Sequence, residues 1–305
     1  MRVVFAGTPD GAVPTLTELV RRGVTISAVV TRPDALLGRK RIRTPSPVAA
    51  AAARFGIPTI TATTLDESVA DEIRSLEPDL GVIVAYGGIV REPLLSIPTH
   101  GWINLHFSLL PRWRGAAPVQ RALIAGDTTI GATVFQLNSG IDEGAIYATH
   151  AVSIDHHNSA GELVKKIAQE GAPLVASVVD SLEAGTAAGQ PQSGEPSHAP
   201  KLTIDDARLD WTKSAHAVFN RFRGVTPEPG AFTMGGGGRL IILEAEIAHG
   251  ANEIPPGQII ETDGSVLVGT ATDPIRLLIV HPAGRRAMPA IEWWRGRGST
   301  MDRLE

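Results

Sequence analysis

Short apolar runs rich in Val and Ile recur through the first half of the chain, at residues 2–6, 26–30, 80–85, 102–107 and 130–137. They are short and bounded by turn-forming residues, which predicts strands. Between them, residues 48–55 and 65–76 carry helical patterns. Pro118 suits the first turn of a further helix that Gly126 closes. Residues 159–182 place Leu163, Ile167 and Leu174 on one side of a long helix. Strands alternating with helices imply a parallel, doubly wound sheet. From 183 to 200 the chain turns dense in Gly, Pro, Ala, Ser and Gln. Beyond it, β-like runs at 240–243, 258–261, 266–268 and 275–280 are separated by turns, with Asp263-Gly264 as a hairpin signal. The expected architecture is α/β. A Rossmann-like, doubly wound, mainly parallel sheet comes first, and a small C-terminal β-barrel (OB-like) follows. The expected division is a domain at 1–186, a linker at 187–206 and the barrel at 207–305.

The 305 residues are enough for two such domains, and 43% hydrophobic with 20% charged residues is an ordinary globular balance. No apolar run approaches the roughly 20 residues that span a bilayer, so no membrane partner is expected. Met1–Gly7 reads as a first strand and not as a leader. There is no cysteine, which removes disulfides, thiolate catalysis and Cys-based zinc sites. The net charge of −4 is not that of a generic nucleic-acid binder. Basic residues are nevertheless concentrated at Arg39, Lys40, Arg41 and Arg43, with Arg32 upstream. Pro33, Gly38, Pro45 and Pro47 make this segment a loop. It reads either as a solvated charge run or as a mobile loop that grips phosphate.

Candidate chemistry converges on residues 102–107. Asn104 and His106 are two apart in a strand-like run, so both point to one face. An amide and an imidazole at a strand end form a donor pair for a developing oxyanion. Asp142, in Ser-Gly-Ile-Asp-Glu-Gly at 139–144, is the candidate to orient that imidazole. Taken singly, His106 reads as a satisfied core residue and Asp142 as a turn residue. Two polar side chains on one strand face need a shared reason. The loop at 6–11 has Gly7 and Gly11 around Pro9 and fails the dinucleotide-binding fingerprint. Ser108 and Ser139 lie in no nucleophile elbow. Gly235–Gly238 reads as a flexible turn. His156 and His157 read as surface residues, and no metal site is expected. The set suits non-covalent acyl transfer.

Asn104-Leu105-His106, Ser108-Leu109-Leu110-Pro111 and Arg112-x-Arg114-Gly115-Ala116-Ala117-Pro118 together resemble the folate-dependent formyltransferases. Ala6–Asp10, Pro45–Val48, Val84–Gly87 and Lys201-Leu202 with Asp210-Trp211 extend the likeness from the first strand almost to the C-terminus. The resemblance implies a catalytic domain at 1–186 in which Asn104 and His106 hold the oxyanion. Asp142 would raise the His106 pKa and relay a proton. The formyl donor would be 10-formyltetrahydrofolate, docked near Ser108, Leu109, Leu110, Pro111, Tyr86, Gly87, Gly88 and Ile89. The Arg-Gly-Ala-Ala-Pro extension and the tail domain favour the branch whose acceptor is the α-amino group of methionine on initiator tRNA. Arg39, Lys40, Arg41 and Arg43 would then contact the acceptor end, with Arg285, Arg286, Arg295 and Arg297 as positions to watch in the barrel. A cytoplasmic monomer is expected. The alternatives are formyl transfer to a nucleotide-linked amino sugar, hydrolysis of the formyl folate, and a non-catalytic tRNA- or folate-binding module.

The chain departs from the family pattern twice. Phe107 stands where a glycine is usual, and Gly11 where a phenylalanine is usual. The two changes are expected to compensate, with the ring from 107 filling the void at 11.

Overall fold

The computed structural model describes residues 1–38, 40–235, 238–296 and 303–305. Arg39, Gly236, Gly237 and Arg297, each part of an expectation above, lie outside the described residues. The chain divides into two units. One comprises Met1–Pro118, Thr129–Ser153 and Val164–Ala199, the other Val119–Thr128, Ile154–Leu163 and Pro200–Glu305.

In the first unit the strands are β1 (Arg2–Gly7), β2 (Thr25–Thr31), β3 (Ala35–Leu37), β4 (Ile42–Thr44), β5 (Thr59–Thr61), β6 (Leu80–Val84), β7 (Trp102–His106), β8 (Thr129–Gln136) and β9 (Ile146–Ser153). Seven of them form one sheet in the order β5-β2-β1-β6-β7-β8-β9. It is parallel from β5 to β7 and antiparallel at β8 and β9. The central strands are buried along their whole apolar length, as strands covered on both faces must be. Helices α1 (Val13–Arg21), α2 (Pro47–Phe55) and α3 (Glu67–Ser75) follow β1, β4 and β5. Ser46 caps α2 by accepting from the Ala49 N–H at 3.0 Å, and Pro47 opens its first turn. That is the local reason for Pro45-Ser46-Pro47. Gly7 pairs with Val84 and Ile83 with Asn104, so the loops leaving β1, β6 and β7 emerge at one edge.

The basic segment is not an open loop. β3 and β4 pair as a hairpin, with Ala35 opposite Thr44 and Leu36 opposite Arg43. Gly38 and Arg41 adopt positive φ at its tip (+70° and +48°).

The second unit contains α4 (Pro118–Ala125) from Val119 onward, α6 (Ala215–Gly224) and α7 (Ala290–Arg295). Helix α5 (Ala160–Glu183) begins in it and runs on into the first unit. Its strands are β10 (Phe232–Gly235), β11 (Gly238–Ile247), β12 (Ile259–Thr262), β13 (Ser265–Val268), β14 (Ile275–Pro282) and β15 (Met288–Pro289). They form an antiparallel sheet in the order β10-β11-β14-β13-β12, with β15 on β14. Asp263 and Gly264 make the two-residue hairpin between β12 and β13, both at positive φ (+49° and +72°). Trp211, Phe219, Phe222, Ile242, Val280 and Trp293 form the core, with Ile124 of α4 packed against it. The division expected at 187–206 therefore differs from the observed one, since residues 119–128 and 154–163 also join the second unit.

Residues 187–199 belong to the first unit and are tied to it. Gln190 exchanges backbone hydrogen bonds with Ile146 at 2.7 and 2.8 Å, and Ala199 is fully buried. Among the described residues, no helix is long and apolar enough to cross a membrane.

Candidate active site

His106 ends β7 at 6% exposure, with Asn104 two positions before it on the same face. The His106 Nε2 lies 2.8 Å from the Trp113 carbonyl oxygen. A carbonyl can only accept, so Nε2 carries the proton and Nδ1 is the working nitrogen. Nδ1 lies 3.6 Å from Asp142 Oδ2. Burial pushes the His106 pKa down, while the Asp142 carboxylate and the Trp113 carbonyl pull it up. The net direction is below the ordinary value of 6.5. Asp142 thus acts on His106 with the expected sign, but desolvation outweighs it, and the imidazole is neutral near pH 7.

Ser108–Pro111 form the turn between β7 and Trp113. The Ser108 hydroxyl donates to the Arg112 carbonyl at 2.6 Å. The Thr133 hydroxyl donates to the Ser108 carbonyl at 2.6 Å and accepts from the Leu110 N–H at 3.2 Å. Ser108, Leu110 and Pro111 are buried, Leu109 is half-buried, and none of the four lines either cavity beside the catalytic set. The hydrogen bonds of Ser108 are made within its own turn, and the docking of folate near these four residues stays an expectation. A buried hydroxyl satisfies itself locally, and this one builds a turn.

Asp142 sits in a left-handed conformation, φ +53°. Its Oδ2 accepts from the Gly115 N–H at 2.7 Å. Gly115 has φ +115°, and a side chain there would come within 2.9 Å of the Ala199 carbonyl oxygen, so glycine is required. Two cavities flank this pair. One, of about 530 Å³, is lined by Ile83, Leu95, Asn104 and residues 88–92 and 137–142. The other, of about 320 Å³, is lined by Asn104, His106, Tyr86, Gly87, Phe107, Gly115, Ala116, Asp142 and their neighbours. Gly88 and Ile89 of the expected folate set lie on the first cavity, and Tyr86 and Gly87 on the second. Tyr86 is held by its own hydroxyl on the Ala62 carbonyl (3.2 Å) and by Thr8 on its carbonyl (3.1 Å). The Arg32 guanidinium bonds the Gly87 and Thr63 carbonyls, both at 2.6 Å.

Phe107 follows the end of β7 and lies close to Gly11. A Cβ on Gly11 would meet the Phe107 Cε2 at 3.6 Å and the Val164 Cγ1 at 3.6 Å. The ring occupies the space beside Gly11, as the compensation argument requires. Lys40, Arg41 and Arg43 are exposed on the hairpin and line neither cavity. Arg285 and Arg286 are exposed, and Arg295 pairs with Glu261 at 2.7 Å. Sequence reading passed over Gln192, whose side chain bonds the backbone of the Asp142 loop. It lies in a segment that reads as a linker, and no local signal marks it.

The chain is similar to known proteins over nearly its whole length. The formyl transferase family matches residues 1–179, and the formyl transferase C-terminal domain matches residues 201–298. The methionyl-tRNA formyltransferase of Clavibacter sepedonicus is 54% identical over 296 residues, 97% of each chain. Among solved structures, the sugar 3N-formyl transferase WlaRD, crystallised with dTDP and 5-N-formyl-THF, superposes with a TM-score of 0.70 at 15% identity, over 93% of this chain and 98% of that one. A methionyl-tRNA formyltransferase from Clostridium thermocellum does so with a TM-score of 0.60 at 15% identity, covering 82% and 95%. The solved structures speak for the fold. The sequence match over nearly the whole chain goes further, and the chain belongs to the formyl transferase family, among the methionyl-tRNA formyltransferases.

Proposed function

We propose that the chain formylates methionyl-tRNA, taking the formyl group from 10-formyltetrahydrofolate and delivering it to the α-amino group of methionyl-initiator tRNA. The observation that carries the site assignment is that Asn104 and Asp142 line both cavities at once, with His106 beside them. Two ligands in adjoining cavities would meet at these three side chains. In this reading the larger cavity takes the pterin end of the folate, against residues 88–92 and 137–142. The smaller takes the aminoacyl end, against Tyr86, Phe107 and Ala116.

The neutral α-amino group attacks the formyl carbon, forming the new N–C bond and an oxyanion. An α-amino pKa of about 8 leaves enough free amine near pH 7. The Asn104 amide donates to the oxyanion. His106 Nδ1 takes the proton from the attacking nitrogen and becomes an imidazolium facing Asp142. It then returns the proton to N10 of tetrahydrofolate as the C–N10 bond breaks. His106 therefore starts as a base, and it stabilises the oxyanion only once protonated. Lys40, Arg41 and Arg43, with Arg39 beside them, grip the tRNA acceptor end. The enzyme works as a monomer in the cytoplasm.

The test is transfer from 10-formyltetrahydrofolate to methionyl-initiator tRNA by wild type and Asp142→Ala. A loss of about 10²-fold or more in the variant supports the acid–base role. A folded wild type that binds folate but formylates no tRNA would move the acceptor to a small amine.

A further inference from the structure

We propose that Gln192 is a positioning residue for formyl transfer, holding Asp142 in the conformation that presents its carboxylate to His106. The inference rests on the role assigned above to Asp142.

Asp142 is a non-glycine residue at φ +53°, between Gly140 and Gly144. Such a conformation is unfavourable for it, and the flanking glycines do nothing to enforce it. The constraint must come from outside the loop. Gln192 supplies it across 50 residues of sequence. Its Nε2 donates to the Asp142 carbonyl at 2.7 Å and to the Gly144 carbonyl at 3.0 Å. Its Oε1 accepts from Arg114 Nη2 at 2.6 Å and Nε at 3.2 Å. Carbonyls only accept and a guanidinium only donates, so the amide has one satisfactory orientation, and all four of its bonds are made.

These bonds close a ring. From the Asp142 carbonyl it runs through the Gln192 amide to Arg114, along the backbone to the Gly115 N–H, and back to Asp142 Oδ2 at 2.7 Å. One side chain thereby fixes both the backbone of the catalytic loop and the partner of its carboxylate. Gln192 is itself held between two clamped points. Gln190 is paired with Ile146, while further along the Arg114 N–H donates to the Ser197 carbonyl at 2.8 Å and the Arg114 carbonyl accepts from the Ala199 N–H at 2.7 Å. Gln192 lines neither cavity, so its action on the reaction passes through Asp142.

The test compares wild type with Gln192→Met, Gln192→Glu, Asp142→Ala and the Asp142→Ala/Gln192→Met double variant, in steady-state and single-turnover formylation of methionyl-tRNA. Gln192→Met keeps the volume and removes all four bonds. Gln192→Glu keeps the acceptor for Arg114 and sets a carboxylate against two carbonyls. Both should lower kcat by about 10- to 100-fold, because misplacing a catalytic group by about 1 Å costs that much. Both KM values should stay near wild type. In the Asp142→Ala background, Gln192→Met should cost little more, since its effect is exerted through the missing carboxylate. If Gln192→Met melts below the assay temperature, Gln192→Glu carries the comparison. An unchanged kcat, a loss confined to KM, or an undiminished further loss in the Asp142→Ala background overturns the proposal. A fully active Asp142→Ala sinks the site reading itself, whereas an impaired Asp142→Ala beside an active Gln192→Met sinks only the role of Gln192.

Discussion

His106 is pulled two ways, and the balance decides its role. Burial favours the neutral ring, and Asp142 with the Trp113 carbonyl favours the charged one, with burial dominant. The titration midpoint in the free enzyme should therefore lie below 6.5. Asp142→Asn removes one upward pull, so the midpoint should fall further. An NMR titration of the His106 ring, assigned with His106→Asn, reads both. A midpoint above 6.5 in wild type, or a rise in Asp142→Asn, would contradict the account. Phe107 and Gly11 give a second test at this scale. Gly11→Phe brings a ring into space the Phe107 ring fills, and overpacking should destabilise by about 1–3 kcal/mol in urea unfolding. Phe107→Gly in the same chain should recover most of that loss. If the double variant is no more stable than Gly11→Phe, the two positions do not compensate. This pairing was legible in sequence because both departures fell in recognisable motifs. The tautomer of His106 was not, because it depends on a carbonyl brought round by a turn.

Elements carry the residues to one edge, and they differ in how openly they announce it. Strand β7 was readable from its alternation, and its two polar positions stood out against apolar neighbours. The helical pattern of α2 was readable at 48–55, and its Ser46 cap emerged only in the structure. Helix α6, despite its Ser214 cap, was hidden in a region that reads as strands and turns. The segment 187–199 was misread for a plain reason. Its composition is that of a linker, and its order comes from hydrogen bonds to Ile146, Arg114 and the Asp142 loop, which composition cannot encode. The basic hairpin β3–β4 yields a prediction of its own. Arg41→Ala with Arg43→Ala should raise the KM for tRNA and leave folate affinity unchanged. Each phosphate that the variant no longer neutralises should reduce the slope of log affinity against log salt by about 0.7–0.9. Fluorescence titration of tRNA at several salt concentrations checks it, and an unchanged slope would return the hairpin to a solvated charge run.

At the scale of the whole chain, a linear division into two halves does not describe how stability is distributed. The backbone passes between the two units at 118/119, 128/129, 153/154, 163/164 and 199/200. Residues 119–128 and 154–163 come from the N-terminal part of the sequence yet also bond to residues beyond 200, Arg121 to Asp206 and Gly161 to Thr226. Ile124 packs on the core of the second unit. Gly224 of α6 lies so close to α4 that a side chain there would come within 2.6 Å of Ile124 and 2.9 Å of the Gln120 carbonyl oxygen. The Arg223 guanidinium donates to the Asp155 and Asn158 carbonyls at 3.0 and 3.3 Å. We infer that a fragment ending at 199 is not an independent domain. It would leave the buried face of α4 in water, and exposing a large apolar side chain costs about 1.5–3 kcal/mol each. In a fragment of this size, each kcal/mol lowers the melting temperature by about 2–4 °C. The fragment 1–199 should therefore melt on the order of 5 °C or more below the full chain, which should itself unfold in a single calorimetric transition. Two separated transitions in the full chain, one of them matching an unshifted fragment, would show that the shared segments add nothing to stability.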